Sequence, residues 1–139
     1  MLFDFDLEFV IIKREKVRGR DMTKIAVLSD IHGNTTALEA VLTDAQKSEV
    51  DEYWLLGDIL MPGTGRKNIL QILDTLPITL RVLGNWEESL WRACHRQLDE
   101  SRPSHRYLLR QCQYIMEELS VEEIEALQNY PLQVHRQFG

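Results

Sequence analysis

Apolar positions along the chain fall into short runs whose spacing alternates between strand-like and helical. Lys24-Ile25-Ala26-Val27-Leu28 is β-branched and dense enough for a strand buried on both faces, and it ends at Ser29-Asp30. Beyond Gly33, residues Leu38, Val41, Leu42 and Ala45 recur at helical intervals and predict an amphipathic helix to about residue 48, with Thr36 and Glu39 at capping-box spacing. Tyr53-Trp54-Leu55-Leu56 reads as a second strand ending at Gly57-Asp58, followed by the turn-rich stretch Met61-Pro62-Gly63-Thr64-Gly65. Ile69, Leu70, Leu73 and Leu76 stripe the next helix, Pro77 closes it, and residues 78–83 supply a third strand ending at Gly84-Asn85.

A β-α-β-α-β order of this kind calls for an α/β fold with parallel strands and right-handed crossovers. The three strand C-termini then share one edge of the sheet, where ligands of open α/β sheets bind. Downstream, Leu108, Cys112, Ile115 and Leu119 trace one helical face, Ser120 with Glu123 starts a further short helix to about residue 128, and residues 131–138 alternate like a strand. The first 21 residues stand apart. Phe3-Asp4-Phe5-Asp6-Leu7-Glu8-Phe9 alternates apolar and acidic, and a basic stretch follows from Lys13 to Arg20. This segment has neither the order nor the cleavage site of a secretory signal. With Met22 directly before the first strongly patterned strand, residues 1–21 read as an upstream extension, an extra edge strand being the alternative, and residues 22–139 as the domain.

Composition narrows the functional classes. A hydrophobic fraction of 44% with 27% charged residues suits one globular domain with its own core. Sixteen basic against 22 acidic residues leave a net charge of −6, which argues against an extended nucleic-acid or anionic-lipid surface. No apolar run approaches the roughly 20 residues that span a bilayer, so no membrane partner is expected. Cys94 and Cys112 form no disulfide framework or paired-cysteine zinc motif, which points to a reducing, cytoplasmic compartment.

The strand ends carry the candidate chemistry. Asp30 and His32 follow the first strand, Asp58 the second and Asn85 the third, so carboxylate, imidazole and amide donors converge on one edge. Mn²⁺, Fe or Zn²⁺ takes such donors, and no nearby cysteine competes. A carboxylate can bridge two ions roughly 3.5–4 Å apart while a shared hydroxide attacks phosphorus; Asp58, on the middle strand of the series, suits the bridge. Gly33, Gly57 and Gly84 allow close backbone approach around it. The bland alternative is turn and cap chemistry, since Asp and Asn are common after strands. Three successive strand ends with the matching polar residue favour the metal reading.

These residues resemble the calcineurin-like metallophosphoesterases. Asp30-Ile31-His32, Gly57-Asp58 with Gly63, and Gly84-Asn85-Trp86-Glu87 correspond to that family's three strand-end motifs, and Ser29-Asp30-Ile31-His32-Gly33-Asn34 is similar to its bacterial small-phosphodiesterase branch. The resemblance implies Asp30 and His32 on a first metal, Asp58 between two metals, and Asn85 on the second metal and near the substrate phosphate. It implies two divalent ions in all and a phosphorylated small-molecule or nucleotide-type substrate. The implied fold is the parallel half of an α/β/β/α sandwich.

Two departures accompany it. Trp86 stands where the family places a histidine, and an indole cannot shuttle a proton at neutral pH, leaving acid catalysis without an assigned residue. The family's later histidine and Gly-His-x-His motif are not matched: His95 and His105 fall in helical stretches, and His135 lacks the expected context. The expectation is therefore a phosphoesterase present as an N-terminal fragment, with little hydrolysis by this chain alone. The alternative is a non-catalytic remnant serving as a metal-binding or interaction module, with homo-oligomerisation covering an open sheet face. Arg66, after Gly63-Thr64-Gly65, is a speculative substrate contact, and Trp54, Trp86 and Trp91 read as packing residues.

Overall fold

The computed structural model describes the backbone of residues 8–13 together with residues 23–136. Among these, β1 (Glu8–Lys13), β2 (Lys24–Ser29), α1 (Thr35–Lys47), β3 (Glu52–Leu55), α2 (Lys67–Asp74), β4 (Ile78–Arg81), α3 (Asn85–Cys94), α4 (Pro103–Ile115) and α5 (Val121–Leu127) follow in order. The sheet order is β1-β2-β3-β4. Strands β2, β3 and β4 are parallel, as the alternation of strands and helices requires, and β1 adds an antiparallel edge running from Glu8 opposite Ser29 to Lys13 opposite Lys24. The edge-strand alternative for the leading segment thus describes residues 8–13. Residues 1–7 and 14–22, with the Phe3 to Leu7 alternation and Met22, lie outside the described residues.

Strand alternation sorts the sheet into two faces. Ala26, Leu28, Tyr53 and Leu55 join buried residues of all five helices, among them Leu38, Ile69, Leu90, Ile115 and Ile124, in one core. Val27, Trp54, Leu56 and Leu80 line a groove of about 430 Å³ beside Val134 and His135. Full burial of the first strand on both faces was expected; Val27 is instead only half-buried. Pairing of β3 with β4 steps from Tyr53–Ile78 to Trp54–Leu80, so Thr79 bulges out of register.

Helix starts show where local chemistry overrides spacing. Asn34, not Thr36, caps α1: its Oδ1 accepts the Ala37 N–H at 3.0 Å, two residues earlier than the Thr36–Glu39 spacing suggested. At α5 the expected box is present, with Ser120 Oγ accepting from the Glu123 N–H (3.2 Å) and Glu123 accepting from the Ser120 N–H (2.8 Å). Ser120→Ala should cost about 1 kcal/mol, read as a lower urea midpoint at unchanged slope. Residues 131–136 form no strand. Pro131 brings no N–H to a ladder; its carbonyl accepts from Leu83, and Arg136 reaches the Thr79 carbonyl at 3.2 Å. Residues 137–139 lie outside the described residues.

Candidate metal centre

The loops after β2 and β3 hold their polar residues in an uncommon backbone state. Asp30 (φ 58°), His32 (φ 48°) and Asp58 (φ 55°) are left-handed although none is glycine, a conformation that costs about 1 kcal/mol or more at each. Two parallel backbone bonds tie the loops together: the His32 N–H donates to the Asp58 carbonyl and the Gly33 N–H to that of Ile59, both at 2.8 Å. Close approach also dictates Gly84, where a Cβ would lie 2.2 Å from Asp58 Oδ1 and 2.3 Å from its backbone nitrogen.

One carboxylate joins the loop after β3 to the turn that follows β4. Glu87, only 2% exposed, accepts from the N–H groups of Asp58 (2.8 Å), Ile59 (2.7 Å) and Gly84 (3.1 Å). Burial pushes its carboxyl above the usual range, and the N–H bonds from Ile59 and Asp58 pull it back. The acidic residue at the third position of α3 was visible in the sequence, yet nothing there showed that its side chain turns back to clamp the preceding loop.

Asp30, His32 and Asp58 present ligand atoms all within 4.8 Å of one another. His32 Nδ1 is hydrogen-bonded to the Met61 carbonyl, which assigns the ring proton to Nδ1 and directs Nε2 toward Asp30 Oδ1, 3.4 Å away. Asp58 Oδ1 accepts the Trp86 N–H at 2.9 Å. Burial raises the Asp58 carboxyl above its ordinary range, the Trp86 N–H and His32 oppose that, and the neighbouring Asp30 carboxylate reinforces it. A divalent cation fits this donor set: hard oxygens, one imidazole of fixed tautomer, and two crowded carboxylates whose repulsion it would relieve.

Asn85 opens α3 at the same sheet edge, with its side chain exposed and its neighbour's N–H on Asp58. Trp86 packs edge-on to His32, ring centres 5.8 Å apart and planes at 83°. The remaining histidines sit elsewhere. His95 stacks on Trp91 and bonds Glu125, His105 accepts the Asp99 N–H, and His135 is exposed beside the sheet groove. Arg66 is not turned to a substrate: its guanidinium bonds the Tyr114 carbonyl and Glu117, pairs with Glu118 and lies over the Tyr114 ring.

The chain is similar to known proteins. The family model for calcineurin-like phosphoesterases matches residues 23–134. An uncharacterized protein of Methanocaldococcus jannaschii is 39% identical over 61 residues, which make up 44% of this chain and 25% of that protein. The crystal structure of a metallophosphoesterase from Sphaerobacter thermophilus superposes with a TM-score of 0.54 at 34% identity, covering 78% of this chain and 42% of that one. The chain therefore spans less than half the length of either relative.

Proposed function

We propose, because this chain belongs to the calcineurin-like phosphoesterase family, that it contributes the first three strand ends of a metal-dependent site hydrolysing phosphomonoesters or phosphodiesters. The observation that carries this is the convergence of Asp30, His32 and Asp58 within 4.8 Å at the sheet edge. Asp30 and His32 would hold one ion, Asp58 would be shared, and Asn85 would hold a second. Mn²⁺, Fe or Zn²⁺ suits these donors. When bound, such ions supply positive charge for the phosphoryl oxygens and make water nucleophilic at neutral pH. The chain's own groups do the positioning. Met61 orients His32, Trp86 N–H and Glu87 fix the Asp58 loop, and the Asn85 amide can donate to a phosphate oxygen.

The acidic chain favours a small phosphorylated or nucleotide-type substrate over a nucleic-acid duplex. Among the described residues no helix is long and apolar enough to cross a membrane, and the free thiols of Cys94 and Cys112 fit a cytoplasmic setting. On the alternative in which this chain is a non-catalytic remnant, a second copy would cover the face lined by Val27, Trp54, Leu56 and Leu80.

Trp86 donates no proton to a departing alkoxide, so aryl esters, whose leaving groups need none, are the suitable probes. The protein containing this chain should release p-nitrophenol from p-nitrophenyl phosphate or its bis ester on addition of Mn²⁺, and EDTA should abolish release. Trp86 also favours a second reading, a metal-binding module without turnover. Stoichiometric Mn²⁺ binding without hydrolysis would select that reading, and failure to bind any divalent ion would remove both.

A further inference from the structure

Cys94 ends α3 and Cys112 lies in the last turns of α4, 18 positions later, and the fold brings their sulfurs to 2.8 Å. Nothing in their spacing announces this, because it arises from the packing of two helices. Both line a surface cavity of about 640 Å³, to which Arg96, Arg106 and Arg110 contribute three positive charges against one carboxylate, Glu100. We propose that Cys94 and Cys112 form a peroxide-sensitive dithiol, a modification site in which a small hydroperoxide converts the two thiols into a disulfide joining α3 to α4.

Three features support it. A bonded sulfur pair lies at roughly 2.05 Å, so the thiols need to close by less than an ångström. Cys112 is 3% exposed and Cys94 half-buried, which suits an oxidant as small as hydrogen peroxide. Either sulfur can donate to the other; that contact and the adjacent His95 favour a thiolate at Cys112, against the cost of burial. Either thiol can therefore act as the nucleophile with the other resolving, and Cys94 is the more accessible of the two.

The chemistry balances. One thiolate of the pair attacks one peroxide oxygen, the O–O bond breaks, and the departing hydroxide takes a proton to become water. The other sulfur then displaces hydroxide from that sulfenic acid, and its own proton completes a second water. Two thiols are oxidised by two electrons and one hydroperoxide is reduced. In a reducing compartment such a bond is transient, as a sensor requires. Its position gives it reach, for the helix that Cys94 ends begins at Asn85 and carries Glu87, and a bond at Cys94 would fix that helix against α4.

The test uses the intact protein and hydrogen peroxide alone. Both thiols should disappear together, the mass should fall by two hydrogen atoms, a peptide map should show Cys94 joined to Cys112, and dithiothreitol should reverse the change. The reaction should run about tenfold or more faster in the folded protein than in urea, and the oxidised form should melt about 5–10 °C higher. In Cys94→Ser and in Cys112→Ser, dimedone should trap a sulfenic acid on the remaining cysteine that the wild type does not accumulate. Equal rates folded and unfolded, disulfides formed only between molecules, or independent oxidation of the two thiols would overturn the proposal. Because the readouts are mass and thiol content, they are independent of phosphoester hydrolysis.

Discussion

Glu87→Ala is expected to lose about 3–5 kcal/mol of folding stability, a large share of the roughly 5–15 kcal/mol that holds a domain of this kind together. The buried carboxylate accepts three backbone N–H groups, from Asp58, Ile59 and Gly84, and truncation leaves all three facing a cavity. Each unsatisfied buried donor costs about 1–3 kcal/mol, partly relieved if water enters, so the sum falls short of three full penalties. Glu87→Gln separates charge from shape. The two carboxylate oxygens serve different donors, Oε1 taking Ile59 and Oε2 taking Asp58 and Gly84. An amide keeps one oxygen but turns its NH₂ toward an N–H on the other side, so an intermediate loss of about 1–3 kcal/mol should follow. Urea unfolding of the metal-free protein reads both. A loss below about 1 kcal/mol in the alanine variant would show that the loops hold Asp58 without the clamp.

Much of the site was legible in the sequence because strands end where their apolar runs end. The runs closing at Ser29, Leu56 and Leu83 placed Asp30, Asp58 and Asn85 at one edge once parallel order was granted, and the middle position of β3 followed from the same order. What escaped the sequence lies on the backbone or across helices. The Met61 carbonyl that orients His32 has no side-chain signature, and neither does the left-handed turn at His32. Thr36 and Glu39 had the spacing of a cap, but Asn34, whose side chain reaches the third amide of α1, is the residue that fits the first turn. The alternation of residues 131–138 mimicked a strand, while Pro131 and the single Leu83 bond carry the chain past β4 without a ladder. Cys94 and Cys112 met for a reason no local pattern carries, the packing of α3 on α4.

Asp58→Asn should separate the metal's contribution from the fold's. Without metal, the Asn oxygen still accepts the Trp86 N–H, while the charge that burial and Asp30 both disfavour is gone. The metal-free variant should therefore be as stable as the wild type or more so. The sign with pH follows from the raised carboxyl. A native pKa above the unfolded one means the folded state binds more protons, so the Asp58 contribution favours folding at low pH and declines as pH rises from the unfolded pKa through the native one. Glu87, also raised, declines in the same direction. The wild-type minus variant difference isolates Asp58, and it should become more unfavourable to the wild type across that interval. With Mn²⁺ the order should reverse. At a hundredfold excess over Kd a ligand stabilises by about 2.7 kcal/mol, and a hundredfold loss of affinity in the variant would cut this to a few tenths. Thermal melts with and without Mn²⁺ measure both effects on the same samples. A variant that keeps the full Mn²⁺ shift would remove Asp58 from the ligand set, and one that loses stability without metal would recast Asp58 as a structural acceptor.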